Sequence, residues 1–131
     1  SVQDAILVNC SFVESVKAKV NITCKNVNIH KNVSGKFVTL YNSNADQIRS
    51  RRQISLFSTK AREARAQKVY LRNSEVTVIR IKAPPKDVLD NGSPVVILKD
   101  SKVGQIVFEK GAKGEVKLFG SSRQPKVVYE A

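Results

Sequence analysis

One eight-residue phrase constrains this chain more than any other feature. Val69 to Val76 reads apolar, x, Leu, x, Asn, Ser, x, apolar. The phrase returns at Ala5 to Phe12, Val38 to Ala45, Ile54 to Ala61 and Val96 to Val103, with weaker copies at Val20 to Val27 and Val116 to Arg123. Its central aliphatic residues form the series Leu7, Ile22, Leu40, Leu56, Leu71, Leu98 and Leu118, at intervals of 15, 18, 16, 15, 27 and 20 residues. Two residues earlier every copy is apolar (Ala5, Val20, Val38, Ile54, Val69, Val96, Val116). A step of two is the strand period, so both positions face one side.

Two residues after the central position stand Asn9, Cys24, Asn42, Ser58, Asn73, Asp100 and Gly120. Most are turn residues that tolerate left-handed backbone angles or bond their own backbone. Five residues after it stand Phe12, Val27, Ala45, Ala61, Val76, Val103 and Arg123, apolar except for the arginine. A strand, a corner and a second inward strand therefore recur about every 16 residues. That pattern predicts an all-β fold, a parallel β-helix (β-solenoid) of about seven short rungs, with handedness open. Each rung would stack on its neighbour at about 4.8 Å, giving a rod roughly 30 Å long. The alternative is a β-sandwich, which explains Val-rich strands but not one corner type in one place in successive copies.

With 131 residues the chain reads as one domain,. Ala83 to Pro94, rich in Pro and containing Asn-Gly, reads as an inserted loop that accounts for the 27-residue interval,. Lys110 to Gly114 reads as a smaller insertion or turn. Ser58 to Lys68 has helical propensity throughout, so a short helix stands as an alternative to a strand there,. The first and last rungs require capping, because an open solenoid end leaves strand edges unpaired.

The Leu-x-Asn-Ser-x-Val repeats resemble the short irregular repeats of bactofilin-like and other parallel β-helix proteins. The resemblance covers nearly the whole chain as a pattern. It implies a parallel β-helix and self-association, and it carries no active site.

The chemistry of the chain is mostly charge. Lys and Arg outnumber Asp and Glu by 23 to 11, a formal net charge of +12. So large a charge on a small domain points to anionic partners: nucleic acid, acidic glycan, an anionic surface or an acidic protein. Lys31, Arg49, Arg65 and Arg80 share one offset, nine residues after the central position, in consecutive rungs. In a solenoid equal offsets stack into a column, and stacked like charges repel unless an anion lies along them. Arg51, Arg52, Arg62 and Arg72 lie close by, and the arginine fork suits phosphate, sulfate or carboxylate,. Tyr41, Phe57, Tyr70 and Phe119, at odd steps, are expected to face outward.

Catalytic and metal chemistry is thinly represented. His30, the single histidine, reads as a solvated surface residue, and no Cys/His cluster has metal spacing,. No glycine-rich phosphate loop appears, and no cofactor is called for. The carboxylates (Asp87, Asp90, Asp100, Glu63, Glu75, Glu109, Glu115) read as local charge pairing or plain solubility. Cys10 and Cys24 fall near one corner in neighbouring rungs, so a disulfide is an open alternative to two free thiols,. No run approaches the roughly 20 apolar residues of a membrane span. The absence of Met and the start at Ser1 read as a processed product or an excised fragment. A periplasmic or secreted location is favoured, with the cytoplasm as the alternative.

Three functions follow, in this order. The first is a non-enzymatic binding module whose basic face holds an acidic polymer or partner. The second is a self-associating structural subunit. The third is a small carbohydrate-active enzyme.

Overall fold

The computed structural model describes residues 3–84 and 94–130. Among the described residues twelve strands follow one another: β1 (Asp4–Val13), β2 (Val16–Lys17), β3 (Asn21–Ile29), β4 (Asn32–Tyr41), β5 (Asn44–Phe57), β6 (Lys60–Ala66), β7 (Lys68–Arg72), β8 (Glu75–Ile81), β9 (Val96–Lys99), β10 (Lys102–Phe108), β11 (Val116–Phe119) and β12 (Lys126–Tyr129). Every pairing is parallel, and each strand bonds to its equivalent one rung away. The result is a parallel β-solenoid of about seven turns. The expected inserted loop falls mainly on residues 85–93, outside the described residues. Lys110 and Gly111 form a turn, as expected.

The central column of the core runs Leu7, Cys24, Leu40, Leu56, Leu71, Leu98 and Leu118, each in register with the next. The apolar column two residues earlier runs Ala5, Ile22, Val38, Ile54, Val69, Val96 and Val116. Ile22 therefore belongs to the second column and not to the first, which corrects the expected register of the second rung by two residues. Cys24 takes the central place because it is compact, apolar and followed two residues later by a better corner former, Asn26.

The corners carry the local chemistry expected of them. Asn9, Asn26, Asn42, Ser58, Asn73 and Asp100 have φ between 48° and 55°, and Gly120 has φ 64°. Left-handed angles at non-glycine residues are uncommon, with Asn and Asp the most tolerant. The first three corners also bond one another. Asn26 donates its amide to Asn9 Oδ1 at 2.9 Å, and Asn42 donates to Asn26 Oδ1 at 2.7 Å.

Just past the corner lies a buried column of hydroxyls. Ser43, Thr59, Ser74 and Ser101 each donate to the carbonyl two residues earlier, at 2.8 to 2.9 Å. Each also accepts a backbone N–H from the preceding rung: Val27 to Ser43, Ser43 to Thr59, Thr59 to Ser74 and Ser74 to Ser101. The hydroxyl thus supplies an acceptor for the N–H of Val27, Ser43, Thr59 or Ser74 where the sharp turn breaks the backbone ladder,.

Beyond the corner the inward positions change phase again. In the rung of Leu56 the buried residues are Thr59, Ala61, Ala64 and Ala66. Two outward residues, Arg62 and Glu63, separate Ala61 from Ala64, and the pairing skips Arg62. This bend divides the second strand of each rung into two short faces. Ser58 to Lys68 is therefore strand and not helix. Its three alanines fill inward places, and stacking between the neighbouring rungs β5 and β8 overrides intrinsic propensity,.

One expectation at the first rung is corrected. A register shift between Cys10 and Val13 turns Phe12 out of the core, and it lies 66% exposed with its ring 4.2 Å from that of His30. The cysteines are free thiols. Cys24 is fully buried in the central column, whereas Cys10 sits past the corner opposite Val27. Burial pushes the Cys24 thiol up to about 11, which keeps it protonated and unreactive,.

Candidate anion-binding cleft

The arginine column is present but shorter than expected. Ser34, Arg49, Arg65 and Arg80 stand in register across β4, β5, β6 and β8. Lys31 is not a member. It lies on the bend before β4, because Ser34, and not Lys31, pairs with Arg49. Its ammonium meets Glu14 at 2.7 Å.

The far end of the column is neutralised by the protein itself. Glu109, just after β10, takes Arg65 in a two-bond fork, with Nε at 2.9 Å and Nη2 at 2.8 Å. The same carboxylate accepts Arg80 Nε at 3.0 Å, and Arg80 Nη2 reaches Glu130 at 2.9 Å. Stacked arginines at one rung spacing would otherwise repel. The two guanidinium donors hold the Glu109 carboxyl below its ordinary range,. That lowered value fixes the sign of the pH effect: the stabilisation is present at neutral pH and is lost as pH falls through the folded-state value. Glu109→Gln should lower stability by about 1 kcal/mol at pH 7, a modest figure because Arg65 is 39% exposed,. Urea midpoints of wild type and variant should converge as pH falls through the lowered folded-state value of Glu109,. A gap that stays constant with pH would rule out the ion pairs as its cause.

The near end of the column opens into a cleft of about 580 Å³, with Lys17, Lys19, Arg49, Arg51, Arg65 and Lys82 around a floor of Ala18, Ser34, Gly35 and Ser50. A second lobe shares Lys19, Arg51 and Lys82 and adds Lys36 and Arg52. No described carboxylate lines either lobe. A bulge builds the junction: Gly35 pairs with Ser50 and Phe37 with Gln53, so Arg51 and Arg52 together oppose Lys36,. Ser50, buried at this corner, donates to the Lys36 carbonyl at 2.5 Å and accepts the Arg52 N–H at 3.1 Å. The Arg51 guanidinium reaches the Lys19 carbonyl, and Gln67 donates to the Arg51 carbonyl at 2.7 Å. The corner backbone is thereby pinned, in part by the Arg51 guanidinium itself.

Of the residues singled out in the sequence, Arg49, Arg51, Arg52 and Arg65 converge on this cleft. Arg80 is held beside it by Glu109 and Glu130. Arg62 lies on the bend of its rung and is forked to Asp46 at 2.8 and 3.4 Å. Arg72 projects from a different face, in register between Phe57 and Lys99. Lys17, Lys19, Lys36 and Lys82 were missed. Their shared signal is a cation just before or after the last inward residue of each rung (Ala18, Gly35, Ile81), legible only once that second corner is located.

The aromatic residues face outward but do not form one stripe. Tyr41 and Phe57 stack at 4.9 Å, Tyr70 tilts against Phe57 at 5.8 Å, and Lys25 sits 5.6 Å over Tyr41. Phe119 pairs with Lys99 in a separate rung. Among the described residues no group of His, Cys, Asp or Glu is arranged to hold a metal, and no helix is long and apolar enough to cross a membrane. Comparison with known proteins finds no matching family model, no matching curated protein and no matching solved structure.

Proposed function

We propose that this solenoid is a non-enzymatic binding module whose basic cleft holds an anionic polymer or an acidic partner surface. One observation carries the reading: eight lysine and arginine side chains line two connected lobes with no described carboxylate among them. Of the eight, Arg65 alone is ion-paired to a described carboxylate, Glu109, while Lys31, Arg62 and Arg80 outside the cleft are held by Glu14, by Asp46 and by Glu109 with Glu130. Cations left together at a concave corner repel one another, and a bound anion removes that cost.

The test is charge reversal inside and outside the cleft. Arg49→Glu with Arg51→Glu should weaken binding to a sulfated polysaccharide by about 100-fold or more at constant salt, and should flatten the salt dependence of the affinity. Lys99→Glu with Lys117→Glu changes net charge equally on a different face and should cost less than about threefold, since screening weakens distant charges. Equal losses from both pairs would reduce the attraction to net charge.

A second reading, self-association, draws on the first rung and on the bactofilin-like pattern of the repeats. Ile6 is 73%, Val8 51% and Phe12 66% exposed on β1, whose outer edge has no described partner strand,. Sedimentation across a concentration series distinguishes it, since oligomers built on this edge should persist in high salt. The enzymatic reading has less support. Glu14, Asp46, Asp100 and Glu109 are each engaged by Lys31, Arg62, Ser121 or the arginine pair, and Asp87 and Asp90 lie outside the described residues.

A further inference from the structure

Resting on the reading of the cleft as a polyanion site, we infer that its ligand is a linear acidic polysaccharide lying along the rod axis across the rungs. The cations form two rows. In the first, Lys17, Arg49 and Arg65 stand in direct register from β2 to β6, with the uncharged Ser34 between Lys17 and Arg49 and with Arg65 shared with Glu109. In the second, Lys19, Lys36, Arg51 and Lys82 follow the corner, with Gln67 between the last two. The rows flank a floor of small residues, Ala18, Gly35, Ser50 and Ala66, which leaves a shallow track with charge on both sides.

The ligand must present anions on both edges of a ribbon at a repeat of about 4.8 Å, the rung spacing. A pyranose ring in an extended chain spans close to one such rung, and its sulfate or carboxylate groups project from both edges. An extended acidic peptide repeats its same-face side chains at roughly 6.6–6.8 Å and falls out of step within a few rungs. Single-stranded nucleic acid gains much of its affinity by stacking bases on aromatic rings. Among the described residues no aromatic side chain lines either lobe; Phe37 stands at the edge beneath Lys36, a single ring, and the Tyr41, Phe57, Tyr70 group stands on another strand face.

The experiment compares three probes of equal formal charge with the intact chain at fixed ionic strength: a sulfated oligosaccharide, oligothymidylate and polyglutamate. The oligosaccharide should bind at least tenfold more tightly than either competitor. Its affinity should climb with length until about five sugars and then level off, as the row from Lys19 to Lys82 is filled. Lys82→Ala should weaken a long oligosaccharide severalfold and leave a disaccharide unchanged. Oligothymidylate or polyglutamate binding as tightly as the sugar would overturn the ligand class. Length-independent affinity, or equal sensitivity of the disaccharide to Lys82→Ala, would overturn the axial placement. Failure of all three probes to bind would instead overturn the polyanion reading on which the inference rests.

Discussion

Leu71→Asp should unfold this protein or come close to it, while Arg72→Asp, one residue away, should hardly be felt. Leu71 is fully buried, in register between Leu56 below and Leu98 above. A carboxylate there would lose its water without gaining a partner, and the stacked leucines could not move apart without parting two rungs. Burying an unpaired charge in a core belongs to the small group of substitutions that cost about 4 kcal/mol or more. Arg72 is exposed on the opposite face of the same strand, with Lys99 one rung away. Its backbone carbonyl, which accepts from Ser58 N and from the Ser74 hydroxyl, survives the change. An aspartate beside Lys99 should shift stability by no more than about 0.5 kcal/mol. Urea denaturation of both variants checks the pair. Similar losses at the two positions would mean that the inward and outward sets have been misassigned.

Gly104→Ala should cost about 2 kcal/mol, the usual range for overpacking. Gly104 lies on the bend of its rung, where pairing between β8 and β10 steps from Val76 and Val103 to Val78 and Gln105. A Cβ at Gly104 would stand 2.7 Å from the Thr77 carbonyl oxygen. That atom is backbone and is held by the ladder on either side, so it cannot yield without separating two rungs. Gly35→Ala provides the contrast. Its Cβ would meet Ile22 Cδ1 at 3.1 Å, the end of a side chain that can rotate,. The Gly35 variant should lose less than half as much, read from denaturation midpoints on the same day and buffer. A Gly35 variant less stable than the Gly104 variant would refute the close backbone approach.

Much of the architecture is legible because the corners declare themselves. A left-handed angle is tolerated by Asn, Asp and Gly for reasons internal to one residue, so Asn9, Asn42, Asn73, Asp100 and Gly120 mark their rungs without any knowledge of the rest,. Ser58 adopts the same angle with no such intrinsic advantage, held there by its rungs above and below. The second rung departs from its expected register because the aliphatic phrase points to Ile22 as the central residue, which puts Cys24 and not Asn26 at the corner. The structure selects Asn26, which bonds both Asn9 and Asn42.

The site was harder to read than the fold. Equal offset correctly aligned Arg49, Arg65 and Arg80, since register within consecutive regular rungs follows from counting. It failed at Lys31, where the rung carries its extra residue on the bend. It could not foresee Glu109, 44 residues from Arg65 in the chain. A glutamate outside the repeat has no offset from which its neighbours follow, and only the closure of the later rungs brings it against the arginines.

Strand alternation and backbone preference act over two or three residues, so the period, the inward residues of most rungs and the left-handed corners can be read along the chain. Tertiary structure alone decided which cations are neutralised and which stand free. Ion pairing and cleft formation depend on the distances between rungs, and a bulge or one extra residue at a bend changes those distances without changing the local pattern. That is why the arginine column could be drawn from the repeat, whereas its division into a clamped end at Glu109 and an open end at Arg49 could not.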